Sequence, residues 1–475
     1  LNDFSPGLER VFAEPPQEFA PAPVAVEGTL PEFLRGSLYL VGPGRFARGG
    51  QRYRHWLDGD GMVTALHFGD GAPCAAARYV RTEKWQEEEA SGRAIYRTFG
   101  TAFAGDRLRR GRSLASPANV SVLPFAGRLL VFGEQGLPYE LDPWDLETRG
   151  RYDFGCLNEA TPFAAHPALD PATGEMVNFG VSFAADRPLL HLFRFAAGGA
   201  LAARSRVELP HPYSVHDFSL TGRFAVFVLS PYLLDVAPMF ERGATVAECL
   251  HWRPGLGTRL ALVDRQSGDL SVSIAIGDGY CLHQVNAWED GGELVVDLLE
   301  LTEPVYPDYD GLPDLFVRVR PAKVVRLRVE PASGRVVERR EVDAGLAADF
   351  PVVDAQRAGA RSDPFWMLAI SDTGRPGRKF FDRLQRFDWR AGAVVDEYAT
   401  RPPRFLAGEP VFVPERAGEE SGVILCHELD VDRRESAFVV LDALDLTGPP
   451  LARLVLPSPV QLGFHAAFSA AGGGR

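Results

Sequence analysis

Four segments spaced along this chain share an acidic residue four positions ahead of a glycine, each beside apolar runs: Asp170-Pro-Ala-Thr-Gly174, Asp264-Arg-Gln-Ser-Gly268, Glu330-Pro-Ala-Ser-Gly334 and Asp388-Trp-Arg-Ala-Gly392. The acid can accept hydrogen bonds from the amides of the turn and the glycine can take a positive φ, so each segment reads as a hairpin. Short apolar, β-branched runs stand beside or between them, among them Arg128-Leu-Leu-Val-Phe, Arg223-Phe-Ala-Val-Phe-Val-Leu, Glu293-Leu-Val-Val-Asp-Leu-Leu, Lys323-Val-Val-Arg-Leu-Arg-Val and Gly422-Val-Ile-Leu-Cys. Their length and composition predict strands. A strand, turn and strand unit that keeps returning predicts an all-β chain built by radial repetition of four-stranded sheets, a β-propeller, and not a parallel α/β sheet. The turns alone leave the blade number open; seven blades would take about 68 residues each, room for loop insertions.

One propeller domain over residues 1–475 is expected. The stretches 84–118, 231–258 and 303–321 carry Pro, Gly and mixed charge without clear alternation, and they are assigned to a loop and helix lid over one axial face. Apolar residues at 46% and charged residues at 24% suit a large globular core. A formal charge of −13 disfavours a nucleic-acid partner, which would need clustered cations. The run Arg107-Leu-Arg109-Arg110-Gly-Arg112 reads as a solvated loop. The five cysteines are odd in number and show no Cys-x-x-Cys pairing, so they are expected to be reduced and buried. With neither a signal-like start nor an apolar run of about eighteen residues, a cytoplasmic location is expected. Peripheral membrane contact stays open through the amphipathic segment Ser230-Pro-Tyr-Leu-Leu-Asp-Val-Ala-Pro-Met-Phe240.

Four histidines fall in short motifs with apolar or small neighbours: Ala-Ala-His166-Pro, Ser-Val-His216-Asp-Phe, Leu-His283-Gln-Val-Asn and Gly-Phe-His465-Ala. No single helix or loop can gather positions so far apart, but strands nearest a propeller axis can. Neutral imidazoles suit iron, zinc, copper or nickel, and four without a thiolate leave a divalent ion its full charge and open positions. Metal-bound histidines usually donate their second ring N–H to a carboxylate or carbonyl. Glu134, Asp349 and Glu409 lie in apolar or turn-rich surroundings and are the candidates. Asp58-Gly-Asp60-Gly lacks the later ligands of a calcium loop and reads as a turn. His211 is placed at the surface or behind the histidine cluster.

Together with His55-Trp-Leu-Asp58-Gly-Asp60-Gly, Leu-Pro-Tyr139-Glu-Leu-Asp-Pro and Glu409-Pro-Val-Phe-Val-Pro, these motifs run in order along nearly the whole chain, which closely resembles the carotenoid cleavage oxygenases. The resemblance implies a seven-bladed propeller with Fe(II) on its axis, held by His166, His216, His283 and His465. It implies outer carboxylates at Glu134, Asp349 and Glu409. Family members commonly have Glu-Phe-Pro or Glu-Leu-Pro where this chain has Asp349-Phe-Pro351, so a less direct reach to histidine, with room for a bridging water, is expected there. The usual Asn-Thr-Asn segment is here Asn119-Val120-Ser121, which would put a methyl group of Val120 near an open metal position.

The implied activity is cleavage of a carbon–carbon double bond of an apolar, unsaturated substrate by dioxygen to two carbonyl products. An apocarotenoid or carotenoid is the favoured substrate, and a stilbenoid or phenylpropene the alternative. More remote readings are an isomerase or a ligand-binding propeller without oxygenase activity. Relatives that cleave phenolic alkenes often carry a Lys just before the first outer Glu and a Tyr some thirty residues earlier; here those places hold Gly133 and, approximately, Gly100, with Lys84 or Tyr96 as conceivable substitutes. Aromatic residues at 11%, including Phe163, Phe218 and Phe464 beside the motifs, are expected to line the substrate pocket.

Overall fold

The computed structural model describes residues 6–111, 113–183, 187–371 and 380–471. Among them, seven sheets of four to six strands form the blades of a β-propeller, as expected. Five follow one another simply: the second runs from Ser121–Phe125 to Thr148–Arg151, the third from Ala168–Leu169 to Leu201–Glu208, the fourth from Ser219–Leu220 to Leu270–Gly277, the fifth from Gln284–Asp290 to Arg335–Asp343, and the sixth from Ala347–Val352 to Ala393–Ala399. The first strands of successive blades approach one another, which places them around the axis. The fourth strands alternate half-buried and exposed residues, as in Leu201–Glu208, because one of their faces meets water.

The remaining two blades close the ring by mixing the two ends of the chain. Ala466–Ala470 becomes the axial strand of the first blade by pairing with Gly36–Arg45, with Leu38 opposite Phe468. Ala25–Gly28 becomes the outer strand of the seventh by pairing with Ala452–Val455. Closure therefore depends on residues more than four hundred positions apart.

Middle strands such as Phe224–Leu229 and Pro364–Ile370 are buried along their whole length, because neighbouring blades cover both of their faces. That is why they read as continuous apolar runs and not as alternations. The apolar cores lie between blades: Phe179, Phe218 and Phe227 pack between the third and fourth, and Val226, Leu262 and Val296 between the fourth and fifth. Each such side chain contributes about 1.5–3 kcal/mol on burial.

The four acidic-to-glycine turns close hairpins as expected. The amides of Gly174, Gly268, Gly334 and Gly392 donate to the carbonyls of Asp170, Asp264, Glu330 and Asp388 at 2.8–2.9 Å. At Gly268, φ is +79° and a Cβ would stand 2.2 Å from that of Ser205, so conformation and space both demand glycine.

The cysteine expectation needs correction. All five are free, but only Cys249 and Cys426 are buried, while Cys156 is exposed on the loop after the second blade. The stretches 84–118, 231–258 and 303–321 also hold more regular structure than their composition suggested. They contain the helix Glu83–Ser91, most of which lies in the first stretch, the hairpin Tyr232–Leu234 with Leu250–Trp252, the short helix Ala237–Glu241, and the 3-10 turn Tyr306–Tyr309. These three stretches meet: the Arg97 guanidinium donates to the carbonyls of Met239 and Ala244, and the Phe99 and Tyr306 rings lie 5.2 Å apart.

Candidate metal centre

Each of the four motif histidines stands just ahead of the axial strand of a blade. His166 precedes Ala168–Leu169, His216 precedes Ser219–Leu220, His283 directly precedes Gln284–Asp290, and His465 directly precedes Ala466–Ala470. One position in the blade repeat thus delivers four rings to one end of the axis. Their ligand atoms all lie within 4.8 Å of one another, and Nε2 of His166 faces Nε2 of His216 at 2.9 Å. Imidazole nitrogens bound about 2.1 Å from one ion stand about 3–4 Å apart, so the spacing fits a shared metal. Nε2 of His283 is buried and has no hydrogen-bond partner among the described residues, an orphaned ring nitrogen that an ion displacing its proton would satisfy.

Carboxylates hold the other ring nitrogens. Glu134 Oε1 lies 2.9 Å from Nδ1 of His216, Asp349 Oδ1 lies 2.6 Å from Nδ1 of His283, and Glu409 Oε1 lies 3.3 Å from Nδ1 of His465. A ring that donates from Nδ1 presents a lone pair at Nε2, the form a metal takes. His166 differs, since its Nδ1 is 3.9 Å from the nearest carboxylate oxygen, on Asp217. Burial, followed by its three imidazole neighbours, holds His166 well below the ordinary histidine range, and burial lowers His465 despite Glu409. At His283 burial opposes the charge, but the Asp349 carboxylate overrides it and raises the ring to about 9.

The expected indirect reach of Asp349 is overturned, because its contact is the shortest of the three. The strand Ala347–Val352 breaks register between Asp349 and Val352, and Phe350 takes φ +52°. This bulge carries the Asp349 carboxylate to the ring, and the Phe350 amide donates to the same Oδ1 at 2.8 Å. The backbone makes up for the missing methylene without a bridging water.

A cavity of about 320 Å³ lies beside the centre, walled by Phe99, Leu114, Glu134, Phe183, Leu234 and Phe240 among others. Glu134, Leu234 and Phe99 also wall a chamber of about 40 Å³ that reaches Phe163 and the residues Ser214 and Val215 just before His216. Phe163 thus walls the small chamber. Phe218 and Phe464 are corrected: neither walls these cavities. Phe218 stacks on Phe227 at 5.2 Å between blades, and Phe464 packs on Trp56 at 4.2 Å. Val120 is buried directly ahead of the second blade's axial strand, the place that histidines take in other blades, and its carbonyl accepts the His465 amide at 3.3 Å. His211 packs edge-on against Tyr213.

The possible phenol-binding substitutes are also corrected. Lys84 is fully buried, its ammonium 2.7 Å from Asp60 and 2.9 Å from Glu88. The Tyr96 hydroxyl donates to Glu87. A Cβ at Gly133 would stand 2.1 Å from Ser116 Oγ, and one at Gly100 would stand 2.4 Å from the His55 Cβ, so a side chain at either place would have to displace a neighbour. Arg109, read from sequence as part of a solvated run, instead walls the cavity and lies over the Phe240 ring at 5.4 Å; Arg112 of that run lies outside the described residues. Sequence reasoning missed Arg97, Asp217, Tyr306 and Tyr309, which carry no local signature.

Residues 12–470 match the family described as RPE65, retinal pigment epithelial membrane protein. The chain belongs to the RPE65/carotenoid cleavage oxygenase family. It is 30% identical to the apocarotenoid-15,15'-oxygenase of Synechocystis over 97% of this chain and 95% of that one. It is 27% identical to the isoeugenol monooxygenase of Pseudomonas putida over 93% of each. The solved structure of cobalt-substituted Synechocystis apocarotenoid oxygenase superposes with a TM-score of 0.90 at 30% identity, covering 99% of this chain and all of that one. No helix among the described residues is long and apolar enough to cross a membrane.

Proposed function

We propose that this protein holds Fe(II) through His166, His216, His283 and His465 and uses dioxygen to cleave a carbon–carbon double bond of an apocarotenoid or carotenoid, giving two carbonyl products. The observation that carries the reading is the junction of the histidine cluster with a largely apolar cavity at Glu134. Bound ferrous iron supplies the activation of dioxygen. The chain supplies neutral nitrogen ligands, and Glu134, Asp349 and Glu409 fix their tautomers. Val120 sets an apolar side chain at the axial end and limits water there. Leu114, Phe183, Leu234 and Met239 take up an unsaturated hydrocarbon. No side chain need act as general base.

The filled places at Gly133 and Gly100 favour a carotenoid-derived substrate over a phenolic alkene. Phe240 is 59% exposed on the short helix Ala237–Glu241 while its ring borders the cavity, so this edge forms a mouth suited to taking a substrate from a lipid surface. The stretches 84–118 and 231–258 cover the cavity as a lid.

The test is to reconstitute the protein with Fe(II) and offer an apocarotenal, isoeugenol and resveratrol under labelled dioxygen. Cleavage of the apocarotenal is expected, with one labelled oxygen in each carbonyl product. Cleavage of the phenolic compounds alone would overturn the substrate assignment, and full activity in His283→Ala would overturn the metal centre.

A further inference from the structure

The 3-10 turn Tyr306–Tyr309 lies against two of the three outer carboxylates. Residues three apart on such a turn point the same way, and both tyrosines are 3% exposed. The Tyr306 hydroxyl lies 3.4 Å from Glu134 Oε1 and 3.1 Å from Nδ1 of His216. The Tyr309 hydroxyl lies 3.5 Å from Asp349 Oδ2, opposite the oxygen that meets His283. Glu134 Oε2 has no hydrogen-bond partner among the described residues, so the aim of that carboxylate is set at Oε1, where His216 and Tyr306 converge. Glu409 is served differently, its Oε2 accepting the Ala466 amide at 2.9 Å.

The turn is itself anchored by the motif around His55. Nδ1 of that ring accepts the Leu57 amide at 3.1 Å, so the proton is on Nε2, which donates to the Tyr306 carbonyl at 3.0 Å. The Trp56 ring packs edge-on against Tyr309 at 5.2 Å. The amides of Gly311 and Leu312 donate to the Arg54 carbonyl at 2.8 and 2.9 Å, and the Arg54 guanidinium pairs with Asp310 at 2.8 Å. The Asp58 carboxylate accepts the His55 and Gly100 amides and the Thr101 hydroxyl, tying the cavity-lining segment to the same anchor. Residues His55 to Asp58 thus grip a turn that reaches two of the outer carboxylates.

We propose that Tyr306 and Tyr309 are positioning residues of the metal centre: as one rigid turn held by His55, they aim the carboxylates of Glu134 and Asp349, and through them set the orientation and basicity of His216 and His283. The inference rests on the metal-centre reading above. Each hydroxyl shares a carboxylate with a ring N–H, so its loss frees the carboxylate to rotate and changes the pull on the ring.

The experiment uses metal-free full-length wild type, Tyr306→Phe, Tyr309→Phe and the double variant, each titrated with Co(II) and followed by its visible absorption, with Fe(II) affinity taken from chelator competition. Tyr306→Phe is expected to weaken Co(II) and Fe(II) binding about 3- to 10-fold and to move the Co(II) absorption band; outer partners in direct contact with a ligand are worth about 10- to 100-fold. Tyr309→Phe, acting over the longer contact, should do less, and the double variant more than either. Unchanged affinity and an unchanged band in the double variant overturn the proposal, including when thermal unfolding of the metal-free variant shows a loss of stability. Wild type that binds neither metal overturns the metal-centre reading and this inference with it.

Discussion

Asp349 Oδ1 sits 2.6 Å from Nδ1 of His283, closer than either glutamate comes to its histidine. The shorter side chain succeeds because the bulge at Phe350 advances the backbone, so side-chain length and backbone shape are matched here. Asp349→Glu would then be too long for the bulged strand, and Asp349→Asn would keep an acceptor but lose the charge. Both are expected to lower metal affinity by about 10-fold or more, measured by chelator competition. Wild-type affinity in Asp349→Glu would show that the bulge does not set the fit.

Leu234 borders both the large cavity and the small chamber beside the centre. Leu234→Trp is expected to cut turnover of a long polyene at least about 10-fold while sparing a short styryl alkene, at a stability cost of about 1–3 kcal/mol. Equal loss on both substrates, at equal metal content, would mean that this cavity is not the path of the polyene.

Lys84 is enclosed by Asp60 and Glu88, with the Arg48 guanidinium 2.7 Å from Asp60. Removing the ammonium leaves buried carboxylates short of a partner, so Lys84→Met should cost about 3–5 kcal/mol in denaturant unfolding. Turnover per folded, metal-loaded molecule should not change, even with a phenolic substrate. A selective loss on phenols would restore the substrate-binding role that the ion pairs argue against.

His427 is buried in the seventh blade, its Nδ1 at 2.9 Å from the Ala407 carbonyl, and burial lowers it to about 4. A lowered histidine is neutral when folded and protonates first when unfolded. Its contribution is therefore complete above the unfolded value near 6.5 and is lost as pH falls towards 4. The loss amounts to about 3 kcal/mol. Urea unfolding of metal-free wild type and His427→Gln across pH 7 to 4 should show a shallower fall in the variant; parallel curves would dismiss the assignment.

The fold class was legible because its signals are local. An acidic residue four positions before a glycine makes a turn out of its own atoms, and the apolar runs of the middle strands declare burial on both faces. The ligand candidates His166, His216, His283 and His465 were legible through their short motifs and the family resemblance these carry, as were Glu134 and Glu409. Phe218 and Phe464 misled, because a buried aromatic reads alike in sequence whether it fills a space between blades or faces a cavity.

What the sequence determined by itself is the set of strands, turns and ligand types, each written within a few adjacent residues. Tertiary structure alone decided the rest. Ring closure brings Ala466–Ala470 beside Gly36–Arg45 and so sets His465 among histidines from three other blades. A backbone bulge turns the short Asp349 into a direct partner, and the turn at Tyr306 finds Glu134, 172 positions earlier. Hydrogen bonds and metal sites depend on distances of a few ångströms between groups whose separation along the chain carries no information, and only the folded backbone supplies those distances.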